Sequence, residues 1–228
     1  MNNFKSSKDL SCDLNSFDTY TYTHDTQNAV EECISIVNEA LMNTPSGSLV
    51  LDFAAGHGNL FSRIQKRVDL TYIVNDIDFN SLLHIKRLSH DNNIDINYFA
   101  YDAGHSPFND KSVSVAMSLL GLQHIMNYKA CLIDLKRIIA KEMLHISSFC
   151  HKQDKINLFV LKSKKLVDMW LEDKFSKTLS DYNIAYDVLY STKAFAKGIR
   201  KEKDISYVGS DRFPIVDTTI YYTVAKLK

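Results

Sequence analysis

The chain has 228 residues with 27 basic against 27 acidic side chains, 45% apolar and 24% charged. That length suits one α/β domain with an appendage, and zero net charge gives no compositional argument for a polyanion partner, although a local patch remains open. Four cysteines (Cys12, Cys33, Cys131, Cys150) without paired spacing read as reduced thiols in a cytoplasmic protein, without zinc; the N-terminal M-N-N-F-K-S-S-K-D has no apolar leader region, and no apolar run is long enough to span a bilayer.

Residues 1–19 are polar and aperiodic. From 26 to 42, Ala29, Val30, Cys33, Ile36, Val37, Ala40 and Leu41 repeat at helical spacing, and Asp25 or Thr26 can cap that helix. Thr44-Pro45-Ser46-Gly47 ends it and a first strand follows over about 48–55. The pattern then predicts a helix over 58–67, a strand at Leu70–Asn75 and a helix from about Phe79 to Ser89. Next come a strand over Ile96–Ala103, a central apolar strand over Val113–Leu120, a helix over 129–140 and a strand over Met143–Phe149. Past Cys150 the rhythm changes. Residues 153–180 read as helical, with Phe159, Leu161, Leu166, Met169, Trp170 and Phe175 apolar. Ala185–Tyr190 reads as a strand, 196–212 as a charged loop, and Thr218–Leu227 as an alternating antiparallel strand. Strand–helix alternation of this kind predicts a Rossmann-like, doubly wound α/β fold with a mostly parallel seven-stranded sheet and an antiparallel C-terminal strand.

The stretch S-L-V-L-D-F-A-A-G-H-G-N-L (Ser48–Leu60) carries the most chemical information. An apolar strand ends in Asp52 and enters a turn of small residues, Ala54-Ala55-Gly56-His57-Gly58, in a chain with only seven glycines. Such a turn lets backbone N–H groups approach a ligand, and a following helix would add partial positive charge. Asp76, about 20 residues past the turn, is placed to accept hydrogen bonds from a ribose diol, and Asp102 ends the third strand. Phe61 stands where a dinucleotide fingerprint needs a small residue, and no Gly-Lys-Ser/Thr follows the turn, so NAD and ATP are the weaker readings. An acid directly before the turn suits a ligand carrying an ammonium group.

Three segments, V-L-D-F-A-A-G-H-G-N-L, N-D-I-D-F-N and D-A-G-H-S-P-F-N-D-K-S-V-S-V, stand in order at the spacing of one family. Over residues 26–150 the chain resembles a class I S-adenosylmethionine-dependent methyltransferase of the small-molecule type, similar to quinone-methyltransferase-like enzymes. The resemblance implies S-adenosyl-L-methionine as cofactor. It would place Ala54, Gly56 and Gly58 around the methionine part, Asp52 near its ammonium group, and Asp76 on the ribose diol. Asp102 and Ala103 would meet the adenine edge, Ile77 its face, and Leu119 the sulfonium. Ala54 stands where many relatives have Gly, and Ser114 where relatives often have Asp.

Methyl transfer is an in-line displacement in which the cofactor brings the reactivity, so a base is needed only when the nucleophile arrives protonated. His124, in G-L-Q-H-I just past the fourth strand, either takes that proton or orders its loop. His57 is expected to point to solvent and His105 is a weaker base candidate. His84, His90, His145 and His151 read as surface or core residues. Residues 1–25 form either a lid, with Tyr20, Tyr22 and His24 facing substrate, or a lead-in to the first helix. Residues 151–212 are the expected cap, in which Trp170 and Phe175 either line a substrate pocket or belong to the core, and 213–228 the terminal strand. The expected partner is a small-molecule acceptor, with no nucleic acid, no membrane and no metal, in a monomer or homodimer. S-L-L-G-L-Q-H-I lacks an Asn/Asp-Pro-Pro-Tyr-type motif, which disfavours base methylation. A non-catalytic cofactor-binding scaffold and a protein or tRNA methyltransferase are the alternatives.

Overall fold

The computed structural model describes residues 20–21, 24–89, 94–152, 158, 162, 167–198, 206–208, 211–213 and 218–228. Its strands are β1 (Tyr20–Thr21), β2 (Leu49–Asp52), β3 (Thr71–Asp76), β4 (Asp95–Ala100), β5 (Val113–Leu119), β6 (Ile139–Cys150), β7 (Tyr186–Gly198), β8 (Ser206–Val208), β9 (Asp211–Phe213) and β10 (Thr218–Leu227). The helices are α1 (His24–Met42), α2 (Phe79–Leu88), α3 (Gly121–His124), α4 (Tyr128–Ile138), α5 (Val167–Trp170) and α6 (Glu172–Asp181). Across the main sheet the order is β1-β7-β10-β6-β5-β2-β3-β4. β4, β3, β2, β5 and β6 run parallel, and β10 lies antiparallel between β6 and β7. The expected seven-stranded, mostly parallel sheet is therefore present, with β1 added as a two-residue edge. The order reverses at β2, which puts the crevice for a ligand beyond the C-terminal ends of β2, β3 and β5.

Each face of the sheet buries one apolar layer. Ala29, Val30, Cys33, Ile34, Val37 and Leu41 of α1 pack with Phe61, Leu82 and Ile85 on one face. Cys131, Leu132, Leu135 and Ile138 of α4 pack with Phe175 and Leu179 of α6 on the other. The α1 stripe follows the 3.6-residue period seen in the sequence. Its exposed carbonyls are closed from outside: Arg67 Nη1 donates to the carbonyls of Leu41 (2.9 Å), Met42 (3.1 Å) and Thr44 (2.6 Å). Asp78 caps α2, accepting from the Asn80 N–H at 3.1 Å.

Several expectations need correction. No regular helix forms over 58–67; residues 56–63 are consecutive turns. The Gln65 N–H donates to Asn38 Oδ1 (2.8 Å) and the Arg67 N–H to the Tyr72 hydroxyl (2.9 Å), so side chains capture donors a helix would have used. The expected helix-dipole contribution at the turn falls away with it. The described part of 153–180 is broken at Leu171, which is extended (φ −114°, ψ 125°) between α5 and α6. Phe159, Leu161 and Leu166 lie outside the described residues. β7 runs on to Gly198 where a loop was expected, and β8 and β9 form a hairpin within 196–212. β4 ends at Ala100, short of Asp102.

His145 of β6 is fully buried, its ring tilted 5.7 Å from that of Phe175, and neither nitrogen makes a well-formed hydrogen bond among the described residues. Burial pushes its pKa down to about 3, against a small upward pull from the Ser118 backbone. The unfolded chain, with an ordinary imidazole, therefore binds more protons than the folded one between about pH 3 and pH 6.5. Stability is expected to fall with decreasing pH across that window, by up to about 1.4 kcal/mol per pH unit from this group. Urea unfolding at a series of acidic pH values should show a shallower slope in His145→Leu; an identical slope would remove His145 as the cause.

Candidate functional site

The turn after β2 is shaped by three positive-φ residues, Ala54 (49°), Gly56 (56°) and Gly58 (79°). The first is costly for a residue with a Cβ, by roughly 1–2 kcal/mol, and is held by its surroundings. The Ala54 N–H lies 3.5 Å from Asn75 Oδ1, and the Ala55 N–H donates to the Asn75 carbonyl at 2.9 Å. The Gly56 N–H donates to Asp76 Oδ2 at 2.7 Å. The two glycines differ in role. A Cβ on Gly58 would fall 2.8 Å from Ile85, so Gly58 serves close packing onto α2, whereas a Cβ on Gly56 would meet nothing within 4 Å. The open side of the turn is therefore at Gly56, where a ligand can approach backbone.

Asp52 lies beneath this turn at 0% exposure, and neither carboxylate oxygen makes a well-formed hydrogen bond among the described residues. Burial first, and then the nearby Asp76 charge, raise its pKa well above the ordinary carboxylate range; the Phe61 N–H opposes this only in part. A buried acid in this state is stabilised by a cation brought close to it. Asp76 ends β3 and also accepts from the Asp78 N–H at 2.9 Å, so its carboxylate joins the two turns beside the crevice. Ile77 is half-buried next to it. Asp102 accepts from the Gly104 N–H at 2.9 Å and has His105 Nδ1 3.6 Å away, with Ala103 half-buried between. These residues stand together at the C-terminal ends of β2, β3 and β4.

Asn75 was not singled out in the sequence. Its side chain, 1% exposed, donates to the carbonyls of Phe99 (3.1 Å) and Tyr101 (3.0 Å), while its oxygen faces Ala54. It stitches three strand ends together, and the only signal was its place directly before Asp76. The S-P-F-N-D part of the third motif is structural: Arg137 bonds Asp134, Asp110 and the Phe108 carbonyl, and the Ser106 N–H donates to Asp134.

At the end of β5, Leu119 is half-buried and Leu120 adopts the left-handed conformation (φ 62°). A Cβ on Gly121 would lie 2.9 Å from both the Cβ and the carbonyl of Ala54, so the β5 turn rests directly on the β2 turn. His124 follows on α3, its ring edge-to-face with Trp170 (centroids 5.3 Å, 83°), and Trp170 Nε1 donates to the Gln123 carbonyl at 3.3 Å. Gln123 is fully buried: Nε2 donates to the carbonyls of Ser148 (2.8 Å) and Met169 (2.7 Å), and Oε1 accepts from the Ser148 N–H (2.9 Å). Sequence reading missed Gln123 as well.

The N-terminal residues are spread out. Tyr20 pairs with Gly198 at the C-terminal end of β7, Tyr22 lies outside the described residues, and His24 is exposed on α1 with its Nδ1 2.9 Å from Asn28. His57 is exposed, as expected, edge-to-face with His84 (centroids 5.5 Å). Among the described residues no group of three His, Cys, Asp or Glu could hold a metal ion, and no helix is long and apolar enough to cross a membrane.

Residues 50–142 match a family model described as a methyltransferase domain. A comparison with curated proteins found no match. Among solved structures, the YcgJ protein of Bacillus subtilis is similar with a TM-score of 0.64 and 13% identity, over 86% of this chain and 98% of that one. A SAM-dependent methyltransferase of Aquifex aeolicus is similar at 0.52 and 13%, over 86% and 97%. The [4+2]-cyclase SpnF is similar at 0.56 and 13%, over 77% and 65%. At such identity these likenesses speak for the fold.

Proposed function

We propose that this protein, whose residues 50–142 match a methyltransferase domain, is a class I S-adenosylmethionine-dependent methyltransferase that transfers a methyl group to an O, N or C atom of a small-molecule acceptor. The observation that carries the reading is the buried Asp52 carboxylate, without a well-formed hydrogen bond, beneath an open turn at Gly56. That arrangement fits the methionine ammonium of the cofactor. Bound, the cofactor supplies an electrophilic sulfonium methyl.

In this reading the backbone of Ala54, Gly56 and Gly58 cradles the methionine part, and Asp52 attracts its ammonium across the thin turn. Asp76 takes the ribose diol with the oxygen capacity its two backbone donors leave free. Asp102 and the Ala103 N–H meet the adenine edge, Ile77 lies on its face, and Leu119 faces the sulfonium. Where the acceptor arrives protonated, His124 would take its proton; otherwise its ring would serve to order the turn after β5. Residues 151–212 would supply the acceptor side.

Calorimetric titration with S-adenosylhomocysteine, with NADH as control, tests the cofactor site. We expect binding of the first alone, weakened about tenfold in Asp76→Asn, which trades a charge-assisted hydrogen bond for a neutral one. Absence of binding in the wild type would overturn the reading. Binding without turnover on any acceptor would favour a scaffold role, a reading for which SpnF, a cyclase on the same fold, gives precedent for departure from methyl transfer.

A further inference from the structure

Near the C-terminal end of β6 the structure holds two imidazole–aromatic pairs. His124 meets Trp170 edge-to-face, and His151, just past β6, stacks on Tyr221 of β10 (centroids 5.8 Å, 25° between planes). Gln123 fixes their relation. It bonds both backbone groups of Ser148, three residues before His151, and the carbonyl of Met169, while Trp170 bonds its own carbonyl. Three residues of strand span about 10 Å, the reach of a one- or two-ring molecule. All four rings are half-buried, and Trp170 and Tyr221 rest on the α4–α6 side of the core.

Two ion pairs flank them, and Lys193 of β7 stands exposed directly opposite Tyr221. Lys152 lies 3.1 Å from Asp173 and Lys174 lies 3.4 Å from Asp168. The described rim therefore offers ring faces and ring edges, with the Lys193 ammonium at the Tyr221 side. Such surfaces favour aromatic over saturated molecules of equal size, by about three- to tenfold for each ring contact.

Resting on the methyl-transfer reading above, we propose that these two pairs form the acceptor platform and that the acceptor is a planar aromatic molecule. His151 and Tyr221 are its specificity-determining residues, held by β6 and β10 in register: Tyr221 lies opposite Phe149, two residues before His151.

The test compares p-cresol with 4-methylcyclohexanol, which share shape and hydroxyl but differ in aromaticity, with and without saturating S-adenosylhomocysteine. Trp170 is the only tryptophan in the chain, so its emission reports occupancy directly. We expect p-cresol to perturb Trp170 and to bind about tenfold more tightly than its saturated counterpart. His151→Leu and Tyr221→Leu should each erase most of that preference while S-adenosylhomocysteine binds as in the wild type. Equal affinity for the two alcohols, or a preference that survives both substitutions, would overturn the platform. Loss of S-adenosylhomocysteine binding with the aromatic preference intact would overturn the cofactor reading and leave the platform standing.

Discussion

Asp52→Asn is expected to stabilise the free protein at neutral pH and to weaken S-adenosylhomocysteine binding about tenfold or more. The two effects have one source. The free protein buries Asp52 completely, beside Asp76 and without a well-formed hydrogen bond, and its pKa is raised. Above the ordinary carboxylate pKa the folded state therefore holds a proton that the unfolded chain has released. Stability contributed by this group is full at low pH and declines as pH rises toward the raised value. Asparagine has no proton to take up, so thermal melts of the variant should lie above those of the wild type at neutral pH and converge with them in acid. Binding reverses the preference. A cation held over the turn, at an effective dielectric near 20, would favour the ionised carboxylate by an amount on the order of 1–4 kcal/mol. Wild-type affinity should therefore rise with pH relative to the variant until Asp52 is ionised without ligand. Parallel pH profiles for the two proteins, or a variant that binds as tightly as the wild type, would show that Asp52 serves the turn's shape and not its charge.

How far the sequence disclosed this arrangement depended on whether the deciding contacts were local. The strands were legible because Val50, Leu51, Val115 and Met117 lie in a sheet covered on both faces, where apolar runs leave little ambiguity. The turn was legible because positive φ at Gly56 and Gly58 needs glycine, and because an acid at the end of each early strand is a pattern with a chemical use. The segment after it was misjudged. Leu60, Phe61 and Ile64 are all buried, which looks like one helix face, but Asn38 and Tyr72 take the N–H groups of Gln65 and Arg67 from elsewhere in the fold. The break at Leu171 was equally invisible, since nothing in Met169-Trp170-Leu171-Glu172 disfavours a helix by itself. Asn75 and Gln123 show the same limit for polar residues. Their meaning lies in carbonyls 24 to 46 positions away, and a single amide has no periodicity to reveal it.

Gln123→Leu should cost about 3–5 kcal/mol, a large part of the stability of a domain this size. The reason is its position past the end of a strand. The last β5 partner of β6 is Leu119, opposite Ile146, so Ser148 faces space where β5 no longer runs. The Gln123 amide fills it, accepting from the Ser148 N–H and donating to the Ser148 carbonyl as a neighbouring strand would. The same nitrogen reaches the Met169 carbonyl and so ties α5 to the sheet. Leucine conserves most of the volume but strands up to three buried backbone groups, each worth about 1–3 kcal/mol, with some return from the added apolar contact. At roughly 2–4 °C per kcal/mol the melting temperature should fall by about 10 °C. Hydrogen exchange localises the loss: the Ser148 amide should lose protection beyond the global change, while β3, on the far side of β2, should follow the global change alone. Because Gln123 anchors α5 and the end of β6 and not the turn after β2, the folded fraction should still bind S-adenosylhomocysteine. A variant with an unchanged melting temperature and a protected Ser148 amide would mean that water or a rearranged α3 substitutes for the amide, and that the end of β6 does not depend on this contact.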